Sequence, residues 1–234
     1  MSYYRAAEQR GHASFGWLDS HHSFSFDNYY DSEHMGVSVL RVINDDTVAE
    51  GAGFDTHGHR DMEIISYVLE GSIAHVDSMG HRRTVSAGEV QRMSAGSGVS
   101  HSEFNASATE RLRFLQIWLR PNVKGIKPEY EQAHIPQSKA LTLLVSSDGR
   151  DGSLMVHQDA SIYRLRLQHN EGAPLLVSKG RVGYLHVVSG SAELDDSLLS
   201  AGDGFGVYQV RRFEVLAKSD NFEALWFDLP PEEK

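Results

Sequence analysis

The sequence predicts an all-β protein made of two tandem antiparallel β-barrels with few helices. Three observations carry that prediction. Apolar runs of strand length recur along the 234 residues, separated by turns drawn from 21 glycines. No segment of the first half has a convincing 3.6-residue amphipathic period. A pattern also repeats: Tyr67-Val-Leu-Glu-Gly71-Ser-Ile-Ala followed by Ser86-Ala-Gly88-Glu is echoed by His186-Val-Val-Ser-Gly190-Ser-Ala-Glu followed by Ser200-Ala-Gly202-Asp. The intervening loops differ in length while the order is kept, as two related β units in one chain require. The chain divides on this reading into residues 1–125 and 126–234.

Residues 1–35 form an arm rich in aromatics and histidine, including His12, Trp17, His21, His22, Phe24, Phe26, Tyr29 and Tyr30. Two roles are open to it: packing aromatics on a sheet, or lining a pocket. From Gly36 the pattern is strand, turn, strand. Gly36–Ile43 is β-rich, and Asn44-Asp45-Asp46 reads as a turn. Strands are expected at Ile64–Leu69, Ser72–Val76, Arg83–Val85, Glu89–Met93 and Val99–Phe104, with glycine-containing turns between most of them. Leu112–Leu119 is apolar on both faces apart from Arg113 and Gln116, which suits a central strand.

Residues 121–139 are polar and hold Pro121, Pro128 and Pro136, so they read as a connection with a short helical turn at Glu129–Ala133. Strands resume at Ala140–Ser146, Leu154–His157, Ile162–Leu167, Leu175–Val177, Gly183–Val188, Ala192–Leu194, Gly204–Tyr208, Phe213–Ala217 and Ala224–Asp228. In the third of these, Tyr163, Leu165 and Leu167 alternate with Arg164, Arg166 and Gln168, the pattern of a half-exposed strand. The tail Pro230–Lys234 reads as frayed.

Composition excludes several classes. A net charge of −10 leaves no surplus of Lys or Arg for phosphates, which argues against direct nucleic-acid or anionic-membrane binding. With no cysteine there is no disulfide, no thiolate ligand and no Cys nucleophile. Any metal must be held by His, Asp or Glu. No run approaches the length of a membrane span and no signal-type apolar stretch opens the chain, so the expectation is a cytoplasmic protein.

Two histidine pairs stand out. In Asp55-Thr-His57-Gly-His59-Arg-Asp-Met-Glu63, His57 and His59 are two apart and share one face of an extended chain. With 13 His in the chain, about one such spacing is expected from composition alone. Val99-Ser-His101-Ser-Glu103-Phe repeats the geometry with an imidazole and a carboxylate. On neighbouring strands the two pairs would offer three imidazoles and one carboxylate to a single metal ion. Glu63 has the right parity but lies about 13 Å beyond His59 along a straight strand. Glu103 is the preferred ligand, and Glu63 is expected to support the site or be satisfied in the core. Neither Pro174–Lys179 nor the Arg211–Glu214 region supplies equivalent donors in the second unit. His75 and His81, on a strand and a turn, read as ordinary surface or core-edge residues; His157, His169 and His186 lack a partner at ligand spacing and are read the same way.

These residues carry a family resemblance. Gly51, His57, His59 and Glu63 fit the first cupin motif, with Gly71 one residue late. Gly88, Gly96, His101 and Asn105 fit the second, but Ser94 replaces its proline and two extra residues precede His101. Those departures, together with Phe24-Ser-Phe-Asp-Asn-Tyr-Tyr and Arg41-Val-Ile-Asn-Asp-Asp, resemble the pirin family over nearly the whole chain. The resemblance implies a bicupin whose metal ligands are His57, His59, His101 and Glu103. It implies one divalent transition metal, Fe(II) first, with Mn, Co, Ni, Cu or Zn as alternatives. It further implies a quercetin 2,3-dioxygenase-type oxidoreductase acting on a flavonol and dioxygen, with Glu103 as the group that takes the substrate's 3-hydroxyl proton. Other pirins resemble redox-responsive regulators that act through a protein partner, and other cupin chemistry, such as isomerisation, is a third reading.

Overall fold

The computed structural model describes residues 2–232. From the N-terminus run β1 (Ser2–Arg5), β2 (Gly11–Ser14), β3 (Leu18–His22), β4 (Leu40–Val48), β5 (Gly53–His59), β6 (Glu63–Glu70), β7 (Ser72–Asp77), β8 (Arg82–Ser86), β9 (Glu89–Ser94), β10 (Val99–Asn105), β11 (Leu112–Leu119) and β12 (Glu129–His134). The second half holds β13 (Leu141–Ser146), β14 (Leu154–Met155), β15 (Ser161–Leu167), β16 (Gly172–Val177), β17 (Val182–Ser189), β18 (Ser191–Leu194), β19 (Ser197–Ser200), β20 (Gly204–Val207), β21 (Arg211–Ala217) and β22 (Phe222–Leu229). Single 3-10 turns at Ala7–Gln9 and Arg150–Gly152 are the helical elements among the described residues, and none is long and apolar enough to cross a membrane. The chain is all-β. Of the tail, residues 233–234 lie outside the described residues.

Each unit pairs a seven-stranded sheet with a four-stranded one. The first has β12-β9-β6-β11-β4-β3-β2 and β5-β10-β7-β8; the second has β1-β20-β17-β22-β15-β13-β14 and β16-β21-β18-β19. The large sheets of the two units pack on one another through Ile43, Ile65, Leu115 and Ile117 on one side and Val145, Ile162, Leu225 and Phe227 on the other. These residues alternate with inward-facing ones along their strands, so each large sheet is buried on both faces. Leu112–Leu119 lies between β6 and β4, the central place its composition requires.

Two strands cross between the units. β1 pairs with β20, with Ser2 opposite Val207 and Arg5 opposite Gly204. β12, which lies beyond residue 125, pairs with β9 in the first unit, with Glu129 opposite Ser94. The helical turn expected at Glu129–Ala133 is thus a strand. The edge of β9 supplies ladder partners, and the buried Arg92 is flanked by two carboxylates two residues apart: Glu129 at 3.4 Å and Glu131 at 2.5 Å. A helix would not hold both on that face.

The turn expected at Asn44-Asp45-Asp46 is also a strand, in the middle of β4. Neighbours β3 and β11 saturate its backbone on both sides. Its buried carboxylates are matched individually: Arg113 grips Asp45 with two bonds of 2.9 Å, and the Ser20 hydroxyl donates to Asp46. Likewise Arg164, expected on an exposed face of β15, is buried and donates to the Gln137 side chain and the Ile135 carbonyl, each at 2.6 Å. Alternation marks two faces but cannot say that both are covered.

Burial pushes the Asp46 carboxyl up from 3.8 to about 7, against the pull of Ser20 and with a further push from Asp45 and Glu103. A raised acid keeps in the native state a proton that the unfolded chain has already lost. The stability it contributes is therefore full below pH 4 and lost as the pH rises towards 7. In urea titrations from pH 4 to 7, Asp46→Asn should remove a downward slope of on the order of 1 kcal/mol per pH unit that the parent shows. Cutting the chain after residue 125 should leave both pieces less cooperative in the same assay, because each loses a strand supplied by the other.

Candidate metal centre

The site begins with one strand pair. β5 and β10 run antiparallel with His101 opposite His57 and Val99 opposite His59, and the register slips by one residue between His101 and Glu103. Such a bulge re-aims the side chains beside it. The three imidazoles converge: ring centroids are 4.5 Å apart for His57–His101, 4.8 Å for His57–His59 and 4.9 Å for His59–His101. One donor nitrogen of each lies within 4.8 Å of the others.

These nitrogens suit a metal. The Asp55 carbonyl, 2.8 Å from His57 Nδ1, fixes the proton on that nitrogen and leaves Nε2 with its lone pair. His59 Nε2 and His101 Nε2 stand 3.0 Å apart, close to the roughly 3.3 Å between two ligands on a tetrahedral ion. His101 Nδ1 is buried without a partner among the described residues. Burial lowers His101 to about 3, helped by His57 and His75, and lowers His59 to about 4, helped by His101 and His57. Both are neutral at physiological pH, as metal ligation needs.

Glu103 sits deeper on β10, fully enclosed. Its carboxylate accepts from Gln116 Nε2 at 3.0 Å, the Ser66 hydroxyl at 3.3 Å and Gln91 Nε2 at 3.4 Å. It clusters with His101 and with His75, and does not join the His57–His59–His101 trio at the same separation. Glu63 is elsewhere: it is buried in β6, where the Ser94 hydroxyl donates to it at 2.7 Å.

Sequence reasoning passed over His75. The residue is buried on β7, with its ring 5.4 Å from that of His101 and 4.9 Å from that of Tyr130 on β12. Asp77 lies 3.1 Å from its Nε2 and 2.9 Å from His81 Nδ1. The available signal was parity: His75 and Asp77 are two apart on a strand that pairs with β10. The aromatic arm divides between its two expected roles. Phe24 packs between the units against Tyr184, whereas Phe26 meets Trp118, which stands 5.1 Å from the His59 ring. Trp118 Nε1 is buried with no partner among the described residues.

In the second unit the equivalent strand pair, β16 and β21, places Leu175 opposite Phe213 and Ala173 opposite Val215. All four are buried in one apolar cluster. Where the first barrel offers imidazoles, the second is filled with hydrocarbon.

Residues 3–119 match the family model Pirin, and residues 143–229 match the model described as Quercetinase C-terminal cupin domain. A protein of Escherichia coli K12 named quercetin 2,3-dioxygenase is 49% identical over 231 residues, covering 99% of this chain and 100% of the relative. The chain belongs to the pirin family. A Pirin-like protein of Caulobacter vibrioides is 37% identical over 217 residues, covering 91% of this pirin and 93% of the relative. The crystal structure of the bacterial pirin YhhW from E. coli in complex with nickel(II) superposes with a TM-score of 0.95 at 48% identity, covering 99% of this chain and 100% of that one. A divalent metal is thus a property of a near relative, and this pirin has the donors for one.

Replacing His101 with Ala should weaken Ni(II) binding by at least about 10–100-fold in a chelator competition assay. Glu63→Gln should leave the affinity unchanged.

Proposed function

We propose that this pirin is a metal-dependent dioxygenase that opens the ring of a flavonol such as quercetin. Its metal would be held by His57, His59, His101 and Glu103, with Fe(II) the first choice. The observation that carries the reading is the trio of converging imidazoles beside a buried carboxylate under the aromatic wall of Trp118 and Phe26. Flat aromatic substrates are bound by such walls, and the unpartnered Trp118 N–H is a donor for a substrate oxygen.

A bound divalent ion would supply Lewis acidity and stabilise the substrate as its 3-oxyanion. Glu103 takes the 3-hydroxyl proton, and Gln116, Gln91 and Ser66 hold its carboxylate in place for that transfer. The walls exclude bulk water from the electron-rich ring while dioxygen adds to it. The unit of residues 1–125 carries this chemistry, and that of residues 126–234 serves as its packed support. The partners on this reading are a flavonol and dioxygen, in the cytoplasm.

Quercetin should drive oxygen uptake by the protein reconstituted with Fe(II), Mn(II), Co(II), Ni(II), Cu(II) or Zn(II) in turn. Glu103→Gln should lower turnover by about 10²–10⁴-fold at restored metal content. Absence of uptake with every metal would overturn the enzyme reading. The alternative is then a redox-responsive regulator, tested by whether a protein partner's affinity differs between the Fe(II) and Fe(III) forms.

A further inference from the structure

The hairpin at the edge of the first large sheet carries a second set of metal donors, outside the barrel. β2 and β3 pair with His12 directly opposite His21 and Ser14 opposite Asp19. Asp19 and His21 are two apart, so they share a face of β3 with their cross-strand neighbour His12. Ser20 and His22 point the other way and are buried. One strand therefore feeds two polar sites, one on each face.

The outer three converge closely. The imidazoles of His12 and His21 stack with centroids 4.6 Å apart and an interplanar angle of 21°. Asp19 Oδ2 is 3.1 Å from His12 Nε2, and Asp19 Oδ1 is 3.4 Å from His21 Nδ1. One donor atom of each of the three residues lies within 4.8 Å of the other two. Ligands at 2.0–2.2 Å on a tetrahedral ion stand roughly 3.3 Å apart, which both measured separations approach. Hydrogen bonds to Asp19 explain each contact singly, but give no reason for two like rings to lie face to face. Side-chain exposures of 52% for His12, 50% for Asp19 and 38% for His21 leave room for water as a further ligand.

We infer that His12, Asp19 and His21 form a second, solvent-facing site for a divalent ion of the Zn(II), Ni(II) or Cu(II) class. Two imidazoles and one carboxylate favour these borderline ions over Ca(II) or Mg(II), which prefer oxygen. With three ligands on a solvated edge it binds more weakly than the enclosed site.

Zn(II) titration of metal-free protein by calorimetry tests the inference. The parent should bind two ions per chain in two affinity classes. The double variant His12→Ala/His21→Ala should lose the weaker class and keep the tighter one. Asp19→Asn should weaken that class at least tenfold. In His57→Ala/His101→Ala the weaker class should persist, so failure of the interior site does not mimic failure of this one. Substoichiometric Cu(II) added to that second double variant should broaden the ring-proton signals of His12 and His21 before those of other histidines. A single bound ion in the parent, two classes surviving in His12→Ala/His21→Ala, or broadening elsewhere first would overturn the assignment.

Discussion

The first barrel depends on the register of β5 against β10. With His57 opposite His101, two imidazoles face each other across one ladder rung, and the two-residue period brings in His59 beside them. A slip of one residue along β5 would turn His57 and His59 outward and bring Thr56 and Gly58 in their place. The bulge lies on β5 between Phe54 and His57, while β10 keeps its alternation and turns Glu103 to the same buried face as His101. Ser66, Gln91 and Gln116, from three adjacent strands of the opposite sheet, then close over Glu103.

A polar interior of this kind is costly unless every group is matched. In the first barrel these buried carboxylates are matched one at a time: Glu103 by two amides and a hydroxyl, Glu63 by Ser94, Asp46 by Ser20. The second barrel avoids the problem. Leu175, Phe213, Ala173 and Val215 occupy the same rungs with hydrocarbon and pack into a continuous core. Two copies of one architecture have thus been filled differently, one for chemistry and one for rigidity. His186 is an exception within the second unit, since both its ring nitrogens are buried without a partner and burial lowers it to about 3.

Much of this was legible in the residues. The glycine turns and the repeat marked an all-β chain of two units, and parity alone grouped His57 and His59, and His101 and Glu103. What escaped was whatever depends on a distant partner. Asn44–Asp46 looks like a turn until Arg113 and Ser20 arrive from other strands. Arg164 looks exposed until Ile135 and Gln137 cover it. Glu129–Ala133 carries no strong strand signal and is extended because β9 and Arg92 draw it in. His75 shares its parity with Asp77, but its place beside the site depends on β7 lying against β10.

The pairing of β1 with β20 also sets an order of events during synthesis. β1 leaves the ribosome about two hundred residues before its partner β20, roughly 10–40 s at ordinary elongation rates. Throughout that interval Ser2–Arg5 has no sheet to join. The first unit, whose strands are complete once Glu129–His134 emerges, can close around its histidines well before the second unit exists. The site therefore stands to be built first, and β1 is seated only once β20 has emerged.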